Sequence, residues 1–232
     1  MNKSAEVYFL GHSGFGIVID DIALIFDYYI DPKDVLPCVL KNVHKKIFFS
    51  SHVHHDHFNK KVLEYNDLNT YYVFSDDIKI SSDKSQNITF IGQDEKKNID
   101  EIEISTIGST DQGVAFIVKV NEWSIFHAGD LNWWHWNGDT DENLNLAEVC
   151  FKKELSKIEG MFFDIAFFPV DARLEEHSTK GVNEFLNFVQ VENIVPMHMH
   201  GFKWNDKKIK NKNGESKIWF PMESGFKNIF IK

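Results

Sequence analysis

The sequence predicts an α/β protein with two sheets covered by helices. Two observations point there. Short β-rich runs dominate the chain, with helical patterns appearing singly among them, and no linker or sequence repeat splits it. At 232 residues the chain can bury a substantial core, and it reads as a single domain over 1–232.

The elements follow in order. VYFLG, FGIVID and IALIFD are separated by glycines and the Asp20-Asp21 pair, as consecutive antiparallel strands are. KIFFS (46–50) is a continuous apolar run, which reads as a strand buried on both faces and ends at a cluster of histidines. Asn59 is a candidate cap for a short helix, KKVLEY. YYVFS (71–75), ITFIG (88–92) and DEIEISTIG (100–108) read as further strands, and GVAFIVKV and WSIFHAGD as a hairpin joined at Asn121-Glu122. From Glu142 to Ile158 the apolar residues Ala147, Cys150, Phe151, Leu155 and Ile158 share one helical face, and Gly160 ends that helix. Strand DIAFFPVD, helix STKGVNEFLNFV capped by Ser178 or Thr179, strand NIVPMHMH and a closing KNIFIK complete the chain.

Composition narrows the function. The chain is 43% hydrophobic and 26% charged, too apolar for disorder. No apolar run approaches the roughly 18 residues of a membrane span. The N-terminal MNKSAEVYFLGHSG lacks a signal-peptide core, so Cys38 and Cys150 are expected to be reduced core residues of a cytoplasmic protein. A net charge of −10 repels nucleic acid and anionic membranes, and neither is expected as a partner. Lys203 to Lys217 carries six lysines and reads as a solvated loop. Arg173 is the only arginine, hence the only bidentate fork for a carboxylate or phosphate.

The chemistry concentrates in SHVHHDHF (51–58), where His52, His54, Asp56 and His57 form H-x-H-x-D-H. Imidazole nitrogen and carboxylate oxygen are ligands of Zn²⁺ and related ions, and a loop at a strand end can converge them on metal. The alternative is a solvent-exposed histidine-rich loop. The spacing resembles the signature of the metallo-β-lactamase-fold hydrolases. FHAGD (126–130) resembles that family's strand ending in G-D, and NIVPMHM (193–199) the late strand bearing its histidine. LGHSGF followed by IFDYYID is similar to the subgroup that includes the ascorbate phosphate lactonases.

This resemblance implies a four-layer αββα sandwich of two mixed β-sheets flanked by helices. It also implies two divalent ions, zinc first, with manganese or iron the alternatives. His52 and His54 fall on one ion, Asp56, His57 and His198 on the other, and Asp130 bridges. The family's chemistry is hydrolysis by a metal-bridging hydroxide, with Asp56 also able to orient the nucleophile and accept its proton. The family supplies one more histidine before the bridging aspartate. Here GSTDQGVAF has none, and Asp111 is the expected substitute, the alternative being a plain turn.

Other residues frame the site. His127 is either a ligand, a partner fixing a neighbouring carboxylate, or a buried structural residue. His12 is expected to support the ligands without being one. His55 is expected to turn away and support its loop, and His200 to sit at the pocket mouth as a proton donor. LNWWHWNG (131–138), with Trp134 and His135, suggests a pocket wall, core packing of one or two tryptophans being the alternative. Arg173 either forks a substrate anion or pairs with Glu175 or Glu176. These readings add up to a hydrolase of a small polar ester, lactone or phosphoester. The alternatives are a phosphodiesterase or nuclease of the same fold and a non-catalytic metal-binding or sensing domain. Substrate, metal identity and oligomeric state stay open.

Overall fold

The computed structural model describes residues 3–80, 87–200, 209 and 216–232. The lysine-rich segment 203–217 lies almost wholly outside them. The chain divides into two compact units, Met1–Gly92 with Pro221–Lys232, and Gln93–Phe220. Each is built on one mixed seven-stranded sheet.

In the first unit, β1 (Ser4–Gly11), β2 (Gly14–Ile19) and β3 (Ile22–Phe26) form the expected antiparallel run. β4 (Lys45–Ser50), β5 (Thr70–Ser75) and β6 (Ile88–Ile91) then add in parallel, and β14 (Lys227–Ile231) pairs antiparallel with β1. Ile47, Phe48, Phe49 and Ser50 are all buried. Consecutive buried residues mean two covered faces, as an interior parallel strand requires. The short α1 (Leu36–Val39) turns Leu36 and Val39 inward. KKVLE forms a single 3₁₀ turn, Lys60–Glu64, with the Asn59 side chain accepting the Lys61 N–H.

The second unit repeats this plan. β7 (Lys96–Ile99), β8 (Ile102–Gly108), β9 (Val114–Val120) and β10 (Trp123–His127) are antiparallel neighbours. β11 (Phe162–Pro169), β12 (Gln190–Met197) and β13 (Lys217–Ile218) continue in parallel. Helix α2 (Asp141–Ser156) joins β10 to β11 and α3 (Lys180–Phe188) joins β11 to β12, as crossovers between parallel strands require. The Thr140 side chain caps α2 by accepting the Asn143 N–H.

One expectation is corrected. Cys38 and Cys150 are free thiols, but both are exposed. The buried side of α2 carries Phe151, Glu154 and Leu155, leaving Cys150 facing outward. Glu154 belongs inside because its Oε2 accepts the Gly108 N–H at 2.8 Å. Thr179 is the α3 N-cap, though its side chain bonds no helix N–H.

Candidate functional site

In the first unit, chain direction assembles the candidate ligands. β3 and β4 run parallel with Phe26 opposite Phe49, so both strands deliver their next residues to the same sheet end. Asp27 leaves β3 there, bonding its N–H to the Phe49 carbonyl at 2.9 Å. Its fully buried carboxylate accepts the Ser51 N–H, the Ser51 hydroxyl and His57 Nδ1–H, each at 2.7 Å. With Nδ1 committed to Asp27, Nε2 is the nitrogen that His57 can offer to a metal ion. The same logic runs through Ser51. Its hydroxyl proton goes to Asp27, so its oxygen accepts from His52 Nδ1 at 3.0 Å, leaving Nε2 as the nitrogen that His52 can offer to a metal ion.

His52 Nε2 faces His54 Nδ1 at 3.0 Å, close to the ~3.3 Å separating two nitrogens on one tetrahedral ion. The loop is held by the His54 carbonyl, which accepts the N–H groups of His57 and Phe58 at 3.0 and 2.9 Å. Asp56 lies 3.4 Å from His12 Nε2. The His12 imidazole holds the Asp56 carboxyl well below the usual carboxylate range, overcoming burial, and His57 adds to the effect. His55 is 86% exposed and sets its ring edge-on to Tyr29.

In the second unit, β10, β11 and β12 are parallel neighbours, and one residue of interest follows each. After β10, the Gly129 N–H donates to His127 Nδ1 at 3.2 Å, and Gly129 adopts φ +53°. Fully buried His127 thus shapes the turn that presents Asp130. After β11 comes Asp171, also fully buried, and after β12 comes His198 at φ +64°. His198 Nδ1 faces Asp171 Oδ2 at 3.1 Å, while its Nε2 faces Asp130 Oδ1 at 3.3 Å. Asp171 therefore backs His198 as Asp27 backs His57. Burial pushes the Asp171 carboxyl up, but His198 and Arg173 outweigh it and hold the group well below the usual range.

Arg173 makes a contact that the sequence did not suggest. Its Nε and Nη2 fork Asp171, and its backbone N–H bonds the same carboxylate at 2.9 Å. His200 Nε2 lies 3.7 Å from Asp171. Trp134 donates its indole N–H to the Asp130 carbonyl at 3.1 Å and sets its ring edge against His198. Trp136 stacks on Trp134 and carries the Arg173 guanidinium over its ring, 5.4 Å from the centroid, whereas Trp133 is buried against Phe151. His135 accepts from Lys180 Nζ at 3.0 Å, and burial, Lys180 and His177 lower its pKa.

Asp111 is exposed, on a turn where its N–H bonds Ser109 Oγ at 3.2 Å. Among the described residues it joins no group of convergent ligand atoms. Its neighbour Thr110 is tied to Asn132 instead, giving its hydroxyl to the carbonyl at 2.6 Å. The sequence reading missed Asp27, Ser51 and Asp171. A signal existed for the two aspartates, since each is the last residue of a predicted strand, IALIFD and DIAFFPVD.

The family model for the beta-lactamase superfamily domain matches residues 6–198. The chain belongs to the metallo-β-lactamase superfamily. Solved structures with this fold agree. Igni18, a metallo hydrolase of the archaeon Ignicoccus hospitalis, is 18% identical with a TM-score of 0.66, covering 98% of both chains. The metallo-β-lactamase fold protein YhfI of Bacillus subtilis is 14% identical with a TM-score of 0.60, covering 99% of this chain and 100% of its own. CmlA, a diiron β-hydroxylase of Streptomyces venezuelae, is 10% identical with a TM-score of 0.59, covering 98% of this chain and 54% of its own. At these identities the likeness is one of fold. Among curated proteins none matches. The superfamily match spans both ligand sets, from the LGHSGF turn to His198. No helix among the described residues is long and apolar enough to cross a membrane.

Proposed function

We propose that this superfamily member is a metal-dependent hydrolase of small polar esters, lactones or phosphoesters, and that its two ligand sets serve one binuclear centre. The observation that carries the reading is the pair of backed histidines. Asp27 holds His57 and Asp171 holds His198 by Nδ1, so each ring offers Nε2. Buried carboxylates placed behind imidazoles in this way are the support that metal-ligating histidines need.

In this reading His52 and His54 would hold one ion and Asp56, His57 and His198 the other, with Asp130 a ligand of the pair. Asp111 is left out. The donor set of imidazoles and carboxylates suits zinc, with manganese and iron as the alternatives. When bound, the ions supply an acidified water and a Lewis acid for the scissile group. The remaining roles belong to the chain. Asp56 orients the attacking water and takes its proton. His200, beyond the end of β12, hands a proton to the leaving group. Trp134 and Trp136 offer an apolar wall to a small substrate. The −10 net charge disfavours nucleic acid, and two free thiols fit a cytoplasmic setting.

Elemental analysis of the purified protein, paired with turnover on a panel of esters, lactones and phosphoesters, tests this reading. Two ions per chain and turnover on at least one class are expected. Asp130→Ala should lose both turnover and an ion; retained turnover sinks the binuclear mechanism.

A further inference from the structure

We propose that His12 is itself a metal ligand, completing with Asp56 and His57 a two-histidine, one-carboxylate site carried by the first unit. The proposal rests on the metal-dependent reading above and adds a ligand to it. The two aspartates of this cluster differ in their contacts. The bonds to Asp27 are short, with His57 and Ser51 each 2.7 Å from its Oδ2. His12 Nε2 and Asp56 Oδ2 stand 3.4 Å apart. That is well beyond the ~2.7–2.9 Å of a charge-assisted N–H···O bond. It equals the spacing of two ligands on one ion, since donors about 2.0–2.2 Å from a tetrahedral metal lie about 3.4 Å from each other.

The third member fits. Ligand atoms of His12, Asp56 and His57 all lie within 4.8 Å of one another. The His12 and His57 rings meet edge to face, 5.5 Å apart at 83°, as two imidazoles do when they approach a common point from different directions.

The backbone makes the same case. His12 adopts φ +55° in the turn between β1 and β2. Left-handed backbone costs a non-glycine residue roughly 1–2 kcal/mol, and Asn or Gly is the unstrained choice for such a turn. Strain of this kind points to a function for the side chain it places. The side chain is 9% exposed and aimed at Asp56. His12 and Asp111 thus exchange the roles that their sequence positions suggest. Two imidazoles, one carboxylate and open positions suit zinc or ferrous iron.

The test uses full-length protein stripped by chelator and titrated with Co²⁺, followed by visible absorption and elemental analysis. His12→Asn removes the imidazole and keeps a residue at home in this backbone. It should weaken one cobalt site by about 100-fold or more, beyond the ~10–100-fold of losing a supporting partner, and alter the cobalt bands. His12→Gln keeps a donor towards Asp56 without a good ligand, so it should stay weak. Unchanged cobalt affinity and bands in His12→Asn, or wild-type affinity in His12→Gln, would overturn the assignment. Melting of the stripped proteins shows whether each variant folds; if the Asn variant does not, the Gln variant decides by the same readout. Wild-type protein that binds cobalt as described yet hydrolyses nothing would refute the hydrolase reading and leave the ligand assignment standing.

Discussion

Asp27 carries more of the first unit's order than any residue in the histidine loop. It accepts from two groups of Ser51 and from His57, all inside the protein. Asp27→Ala leaves those donors without their acceptor and should cost about 3 kcal/mol in urea unfolding, the range for breaking a buried ionic pair. Metal affinity should fall by roughly 10–100-fold. Asp111→Ala offers the contrast: an exposed turn side chain should shift stability by less than about 0.5 kcal/mol and leave metal content unchanged. Asp171 gives a pH prediction with a definite sign. Its folded pKa is depressed, so its contribution is complete above the unfolded value near 4 and is lost as pH falls through the folded value. Between pH 5 and pH 2 in metal-free protein, melting temperature should fall less steeply for Asp171→Asn than for wild type. The histidine loop was legible in sequence because H-x-H-x-D-H is local. The backing aspartates were not, since their partners lie 30 and 27 residues away and only strand pairing unites them.

At the scale of elements, what could be read followed hydrophobic pattern. Strands with apolar runs, such as KIFFS and VAFIV, were legible. β7 was not, because KKNI buries only Ile99 and its lysines are what an edge strand displays. Helix α3 shows two effects that can be weighed. Gly181 sits in its first turn, and an added Cβ would stand 1.9 Å from the buried Asn132 Oδ1. Alanine there gains about 1 kcal/mol of helix propensity but forces Asn132 aside, an overpacking cost of roughly 1–3 kcal/mol. Gly181→Ala should therefore be net destabilising by chemical denaturation, and more nearly neutral when Asn132→Ala is already present.

At the scale of the whole molecule, the two sheets share one plan: three antiparallel pairings followed by three parallel ones. In each, the residues of chemical interest, His12 apart, follow strands of the parallel half, where chain ends emerge together. No sequence repeat announces this, because the plan is kept in strand order and direction, which residue identity records poorly. A bound ion that favours the folded state should raise its stability by about 2.7 kcal/mol at a hundredfold excess over the dissociation constant. Chelation should therefore lower the melting temperature, and readded zinc should restore it; equal melting with and without metal would count against tight binding.

The parallel pairing of β3 with β4 has one more consequence. Asp27 and His57 meet only because Phe26 lies opposite Phe49. A slip of one residue would displace the carboxylate by about 3.3 Å and turn it to the opposite face. Such a chain would keep its strands and still be unable to orient its histidine. Metal uptake during refolding would then act as a proofreading signal, reporting that the sheet has closed in its native alignment before any substrate is offered.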